Sequence, residues 1–171
     1  MAQKKGAAMD KAAIYKLLKQ QKIQHEIDEH EAVFNMTELS NAKALYPDAV
    51  AKNLFVRDDK KRNYIMITVR GDKRVKLKDF EKAHAFRHLS FASPNDMQKY
   101  LGVTPGSVSP FGLLNDKDCI VKWFVDQDFA KSQNHLAGVH PNDNTATVWI
   151  KIEDLAKIIS DHGNLIAEIQ V

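Results

Sequence analysis

Between Gly106 and Asp116 the chain reads Gly-Ser-Val-Ser-Pro-Phe-Gly-Leu-Leu-Asn-Asp, too rich in glycine, proline and small polar residues for a helix or strand interior. Two glycines and a proline so close together fix a loop shape and let the backbone approach a ligand. Strongly patterned segments flank the run on both sides. Any fold for this chain must therefore be interrupted here by a shaped loop. Upstream, Lys52 and Asn53 open an apolar stretch; downstream, His140 to Thr147 reads His-Pro-Asn-Asp-Asn-Thr-Ala-Thr, which is rich in turn formers.

The flanking pattern is mixed. Asp10 caps a helix over Lys11–Gln21, with Ile14, Leu17 and Leu18 on one face. His25–His30 alternates as a short strand, and Thr37 opens a second helix to about Leu45, stopped before Pro47. Asn53–Arg57 and Tyr64–Val69 are strands around a polar turn, a hairpin signal. Leu77–Ala85 is a short helix and Leu89–Ala92 a brief strand. Ser93-Pro94-Asn95-Asp96 is a well-made helix start, and Gly102 ends that helix. Strands follow at Cys119–Asp126, Thr145–Ile150 and Leu165–Val171, with a helix at Ile152–Ser160. Strands and helices are interspersed without regular βαβ alternation, which predicts an α+β (mixed α/β) domain rather than a doubly wound fold.

The chain has 171 residues, a length that makes one domain. We expect residues 9–171 to form it and residues 1–8 to be a leader or disordered tail. No apolar run approaches the roughly 20 residues of a membrane span, and there is no apolar signal region. A cytoplasmic location without a membrane partner is the expectation. Net charge is +3, which permits an anionic partner without demanding one. The single cysteine, Cys119, cannot form an internal disulfide and is expected to act as a small buried hydrophobe.

Several chemistries lack their signatures. There is no Walker loop, no Gly-x-Gly-x-x-Gly, no zinc spacing and no Gly-x-Ser-x-Gly elbow. His84 and His88 stand four apart but lack a nearby third ligand. An enzyme built on a metal or an activated serine is disfavoured, and no cofactor is expected. Lys52 is either a snorkelling edge residue or an inward cation. Asn53 serves a turn or a ligand, and the His140 run alone is compatible with a plain hairpin turn. Arg57 to Arg62 is a solvated hairpin tip or a phosphate contact. The same alternative holds for Lys73, Arg74, Lys76 and Lys78.

Taken together, the Lys-Asn pair, the Gly-x-x-x-Pro loop and the His-Pro-x-x-Asn-Thr-x-Thr run resemble one family. They are similar to the YbaK-like, or prolyl-tRNA synthetase associated, editing domains. The form of the loop is most similar to the free-standing alanyl-tRNA(Pro) deacylase branch, called PrdX or ProXp-ala. The resemblance covers Met9 to Val171. It implies a mostly antiparallel mixed sheet, barrel-like and surrounded by helices. It also implies hydrolysis of the ester joining alanine to tRNA(Pro), with a deacylase for cysteine or serine, or a silent tRNA- or synthetase-binding module, as alternatives. The implied partners are the tRNA(Pro) acceptor end carrying a small amino acid and prolyl-tRNA synthetase.

On this resemblance, Lys52 anchors substrate. Gly106, Ser107, Val108 and Ser109 form the catalytic loop, with backbone N–H groups of Ser107, Val108 and Ser109 facing the oxyanion. Asn53, Pro110, Phe111, His140, Asn144, Thr145 and Thr147 bind substrate. Water is activated with help from the substrate's own 2′-hydroxyl. A small pocket would exclude the larger proline by bulk, as in double-sieve editing.

Overall fold

The computed structural model describes residues 8–32 and 44–171. The tail through Ala7 and most of the helix expected from Thr37 fall outside these residues. Helix α1 (Lys11–Gln20) begins where Asp10 accepts a hydrogen bond from Ala13 N–H (2.9 Å), and it buries Ile14 and Leu18. Strand β1 is His25–Glu29, followed after the undescribed segment by a 3-10 turn, Pro47–Ala49. Strands β2 (Ala51–Asp58) and β3 (Tyr64–Arg70) form the predicted hairpin. Helix α2 (Leu77–His84) ends where Ala85 turns left-handed, with φ at 56°. Strand β4 is Leu89–Phe91.

Ser93 and Asp96 make a reciprocal capping box for a short helix, α3 (Pro94–Asp96), which runs on as a wider π turn to Leu101. Gly102 stops it at φ 64°. The expected loop is only half a loop: Pro110–Asn115 winds into a buried 3-10 turn. Ser109 caps that turn through its hydroxyl, which accepts from Phe111 N–H (3.2 Å). Proline at the first position and a hydroxyl before it suit a short helix start, which outweighs the glycine content.

Strand β5 is Lys122–Asp126, later than expected from Cys119. Cys119 sits at φ 51°, and the Asp116 carboxylate takes Val121 N–H (2.8 Å), so the chain turns before it extends. Cys119 is half-buried against His162 rather than enclosed. Strand β6 (Leu136–Val139) has no counterpart in the sequence reading. Strand β7 (Ala146–Lys151), helix α4 (Ile152–His162) and strand β8 (Ile166–Ile169) complete the chain.

The strands form two sheets, β1-β7-β6 and β4-β2-β3-β5-β8. Pairing is mostly antiparallel; β5 alone runs parallel to both its neighbours, β3 and β8. One isolated parallel bridge, Val50 to Gly138, joins the sheets into a curved surface that does not close into a barrel. Its inner face holds the main core: Phe55, Met66, Trp123 and Val125 from the larger sheet meet Ala137, Val139, Val148 and Ile150 from the smaller. Each large side chain buried there contributes about 1.5–3 kcal/mol. On the outer face, α2 covers Val56, Ile65, Ile67 and Val69 with Phe80.

Candidate active site

Strand alternation sorts the candidate residues. On β2, Val50 and Leu54 belong to outer clusters and Phe55 to the inner core, so Lys52 faces outward and Asn53 inward. On β7, Val148 and Ile150 face the core, which sends Thr147 and Trp149 to the outer face. The bridge between Val50 and Gly138 is parallel, so both chains leave it in the same direction. Two residues further on stand Lys52 and His140. Among the described residues no further backbone pair joins the strands across this seam between the sheets.

Lys52 is half-buried and has no ion-pair or hydrogen-bond partner among the described residues. His140 is fixed: its Nδ1 lies 2.8 Å from the Ala146 carbonyl oxygen, which can only accept. The proton is therefore on Nδ1 and the lone pair on Nε2. Burial pushes the His140 pKa below its usual value, and the neighbouring His30 adds to this against the Ala146 and Asp143 contributions. The ring is neutral at pH 7. Thr147 is buried on the same face. The turn before it is braced: Asp143 accepts from both the N–H (2.9 Å) and hydroxyl (2.5 Å) of Thr145. Lys11 of α1 donates to the same hydroxyl at 2.9 Å. Asn144 is half-buried in this turn.

The Gly106 loop is tied to this turn by the chain's start. Asn115 accepts from Met9 N–H (2.7 Å), and Asn142 donates to the Met9 carbonyl (2.7 Å). Gly106 adopts φ 91°, inside a turn closed by Ser107 N–H donating to Thr104 O (3.1 Å).

Three expected contacts are redirected by the structure. Ser107 N–H is already engaged, so of the three amides only those of Val108 and Ser109 lack an acceptor among the described residues. Phe111, fully buried in the main core with Pro110 beside it in the 3-10 turn, anchors the loop from within. Asn53 accepts from the Thr68 hydroxyl (2.6 Å), which in turn accepts from Trp123 Nε1 (2.8 Å), so it belongs to an inner polar chain. Lys73 is redirected as well: its ammonium binds Asp126 (2.7 Å) and Asp128 (2.8 Å). Burial opposes its charge, but the hydrogen bonds to these carboxylates outweigh it and push the Lys73 pKa up.

Residues 30–158 match the family model of the aminoacyl-tRNA editing domain. The chain belongs to that family. It is 37% identical over 161 residues to the prolyl-tRNA editing protein ProX of Acetoanaerobium sticklandii, covering 94% of this chain and 97% of that one. It is 32% identical over 144 residues to the prolyl-tRNA synthetase associated domain-containing protein 1 of Mus musculus, covering 83% and 85%. A stretch of 116 residues is 34% identical to proline–tRNA ligase of Levilactobacillus brevis, covering 66% of this chain and 19% of the ligase. Among solved structures, hypothetical protein APE2540 superposes with a TM-score of 0.65 at 14% identity, covering 91% and 97%, a likeness of fold. As an editing domain, the chain is an aminoacyl-tRNA deacylase.

One outer-face residue of this editing domain escaped the sequence reading. His30, just past β1, places Nε2 2.9 Å from the Thr147 hydroxyl, and its ring centroid lies 6.2 Å from that of His140. The signal was present: Glu26, Asp28 and His30 share one face of an alternating strand. The pairing of Asp28 with Thr147 that brings His30 there is long-range and invisible locally.

Proposed function

We propose that this editing domain removes alanine from mischarged tRNA(Pro), acting in trans. The observation that carries the reading is the seam itself: Lys52, a cation with no ion-pair partner among the described residues, and a neutral histidine, His140, each stand two residues beyond the bridge on one face. An aminoacyl ester at a tRNA tip needs an electrostatic anchor, donors for the developing oxyanion and a small acyl pocket. Lys52 anchors the terminal nucleotide or the ester. Val108 and Ser109 N–H groups receive the oxyanion, on a loop that Gly106 shapes and Pro110 stiffens. His140, Asn144, Thr145 and Thr147 line the amino-acid side. The substrate's 2′-hydroxyl positions water, which suits a neutral His140. The names of the relatives support tRNA(Pro) as the carrier and prolyl-tRNA synthetase as the source of the mischarged product.

The test is one panel. Purified protein is incubated with tRNA(Pro) carrying alanine, serine, cysteine or proline, and loss of each ester is followed. Rapid release of alanine with proline retained is the expected result. Fast release of cysteine or serine instead moves the substrate within the family. Binding without release of any of the four makes this chain a silent tRNA-binding module.

A further inference from the structure

The two outer-face histidines are held in the same way. His30 Nδ1 lies 2.7 Å from the Glu31 carbonyl oxygen, as His140 Nδ1 does from that of Ala146. A carbonyl only accepts, so both rings carry a proton on Nδ1, and the neutral form of each has its lone pair on Nε2. In that neutral form the short contact from His30 Nε2 to Thr147 has one sense: the threonine hydroxyl donates. A hydroxyl has one proton and two lone pairs. With its proton committed to His30, Thr147 can offer only lone pairs to a third group. His140 Nε2 has no partner among the described residues and offers the same. Thr147 and His140 thus offer lone pairs alone on this face, while Lys52 supplies a cation from the other strand.

We propose that His30 is a positioning residue that fixes Thr147 as an acceptor, so that Thr147 and His140 together receive the α-ammonium group of the aminoacyl ester. This inference rests on the deacylase reading of the seam and deepens it. An α-ammonium carries three donors and a positive charge, which match two lone pairs and are repelled by Lys52. The amino acid is therefore oriented, with its ammonium toward the histidine wall and its ester carbonyl toward Lys52 and the Val108–Ser109 amides.

The experiment compares alanyl-tRNA(Pro) with lactyl-tRNA(Pro), an ester of the same size in which a hydroxyl replaces the ammonium. Single-turnover rates over a range of enzyme concentrations, corrected for uncatalysed hydrolysis, give a preference ratio for each variant. The wild type should prefer the alanyl ester by about 10–100-fold, the value of one charge-assisted hydrogen bond. His30→Ala and Thr147→Val should bring the ratio to within about threefold of unity, because the acceptor geometry is lost. His30→Gln, whose amide oxygen can take the Thr147 proton, should keep most of it. A loss of packing alone lowers both rates and leaves the ratio unchanged. A wild type that cleaves both esters equally, or a His30→Ala variant that keeps the preference, overturns the inference while leaving the deacylase standing. A wild type that cleaves neither overturns the functional reading beneath it.

Discussion

His140 shows how one residue couples stability to the site. Its folded-state pKa lies below the ordinary histidine value, chiefly through burial. The stabilisation from keeping it neutral is fully present above that ordinary value, about 6.5. It is lost as pH falls through the depressed value, because the unfolded chain takes up the proton first. Urea midpoints at pH 7.5 and 5.5 should therefore fall more in the wild type than in His140→Gln, which keeps a donor for the Ala146 carbonyl. An equal fall would remove His140 from this role. At the residue scale the sequence was informative about identity and weak about direction. Lys52 and Asn53 are adjacent, yet one faces the seam and the other joins Thr68 and Trp123 within the core. Which of two neighbours faces a site is decided by register, and register depends on partners distant in sequence.

At the scale of elements, the hairpin, the capped helices and β7 were legible because local chemistry dictates them. Strand β6 was not: Leu-Ala-Gly-Val is too short and too small to announce itself. Its glycine is explained only by the neighbour across the ladder. Gly138 pairs with Trp149, and a Cβ at Gly138 would overlap the indole ring. Gly138→Ala should cost about 1–3 kcal/mol by overpacking, read from chemical denaturation. Trp149→Leu should relieve the clash, so that the double variant is more stable than the sum of the single losses by about 1 kcal/mol. Simple additivity would show that the ring and the glycine do not meet. The 3-10 turn after Ser109 is a similar case, since its burial comes from Phe111 filling the core rather than from any periodicity.

For the whole molecule, the decisive feature is two sheets packed on one core and linked, among the described residues, by one isolated backbone bridge. The order of strands places a cation, Lys52, and two histidines, His30 and His140, on one face, although Lys52 and His140 lie more than fifty residues apart in sequence. The sequence motifs named most of these residues; the seam that gathers them depends on the Val50–Gly138 contact, which no local pattern announces. The most direct measurement is single-turnover release of alanine from alanyl-tRNA(Pro) by the wild type and by Lys52→Ala. The variant, which loses no ion pair among the described residues, should unfold at the wild-type temperature and release alanine about 10–100-fold more slowly, the cost of one charged contact to substrate. A fully folded Lys52→Ala protein that cleaves at the wild-type rate would contradict the account.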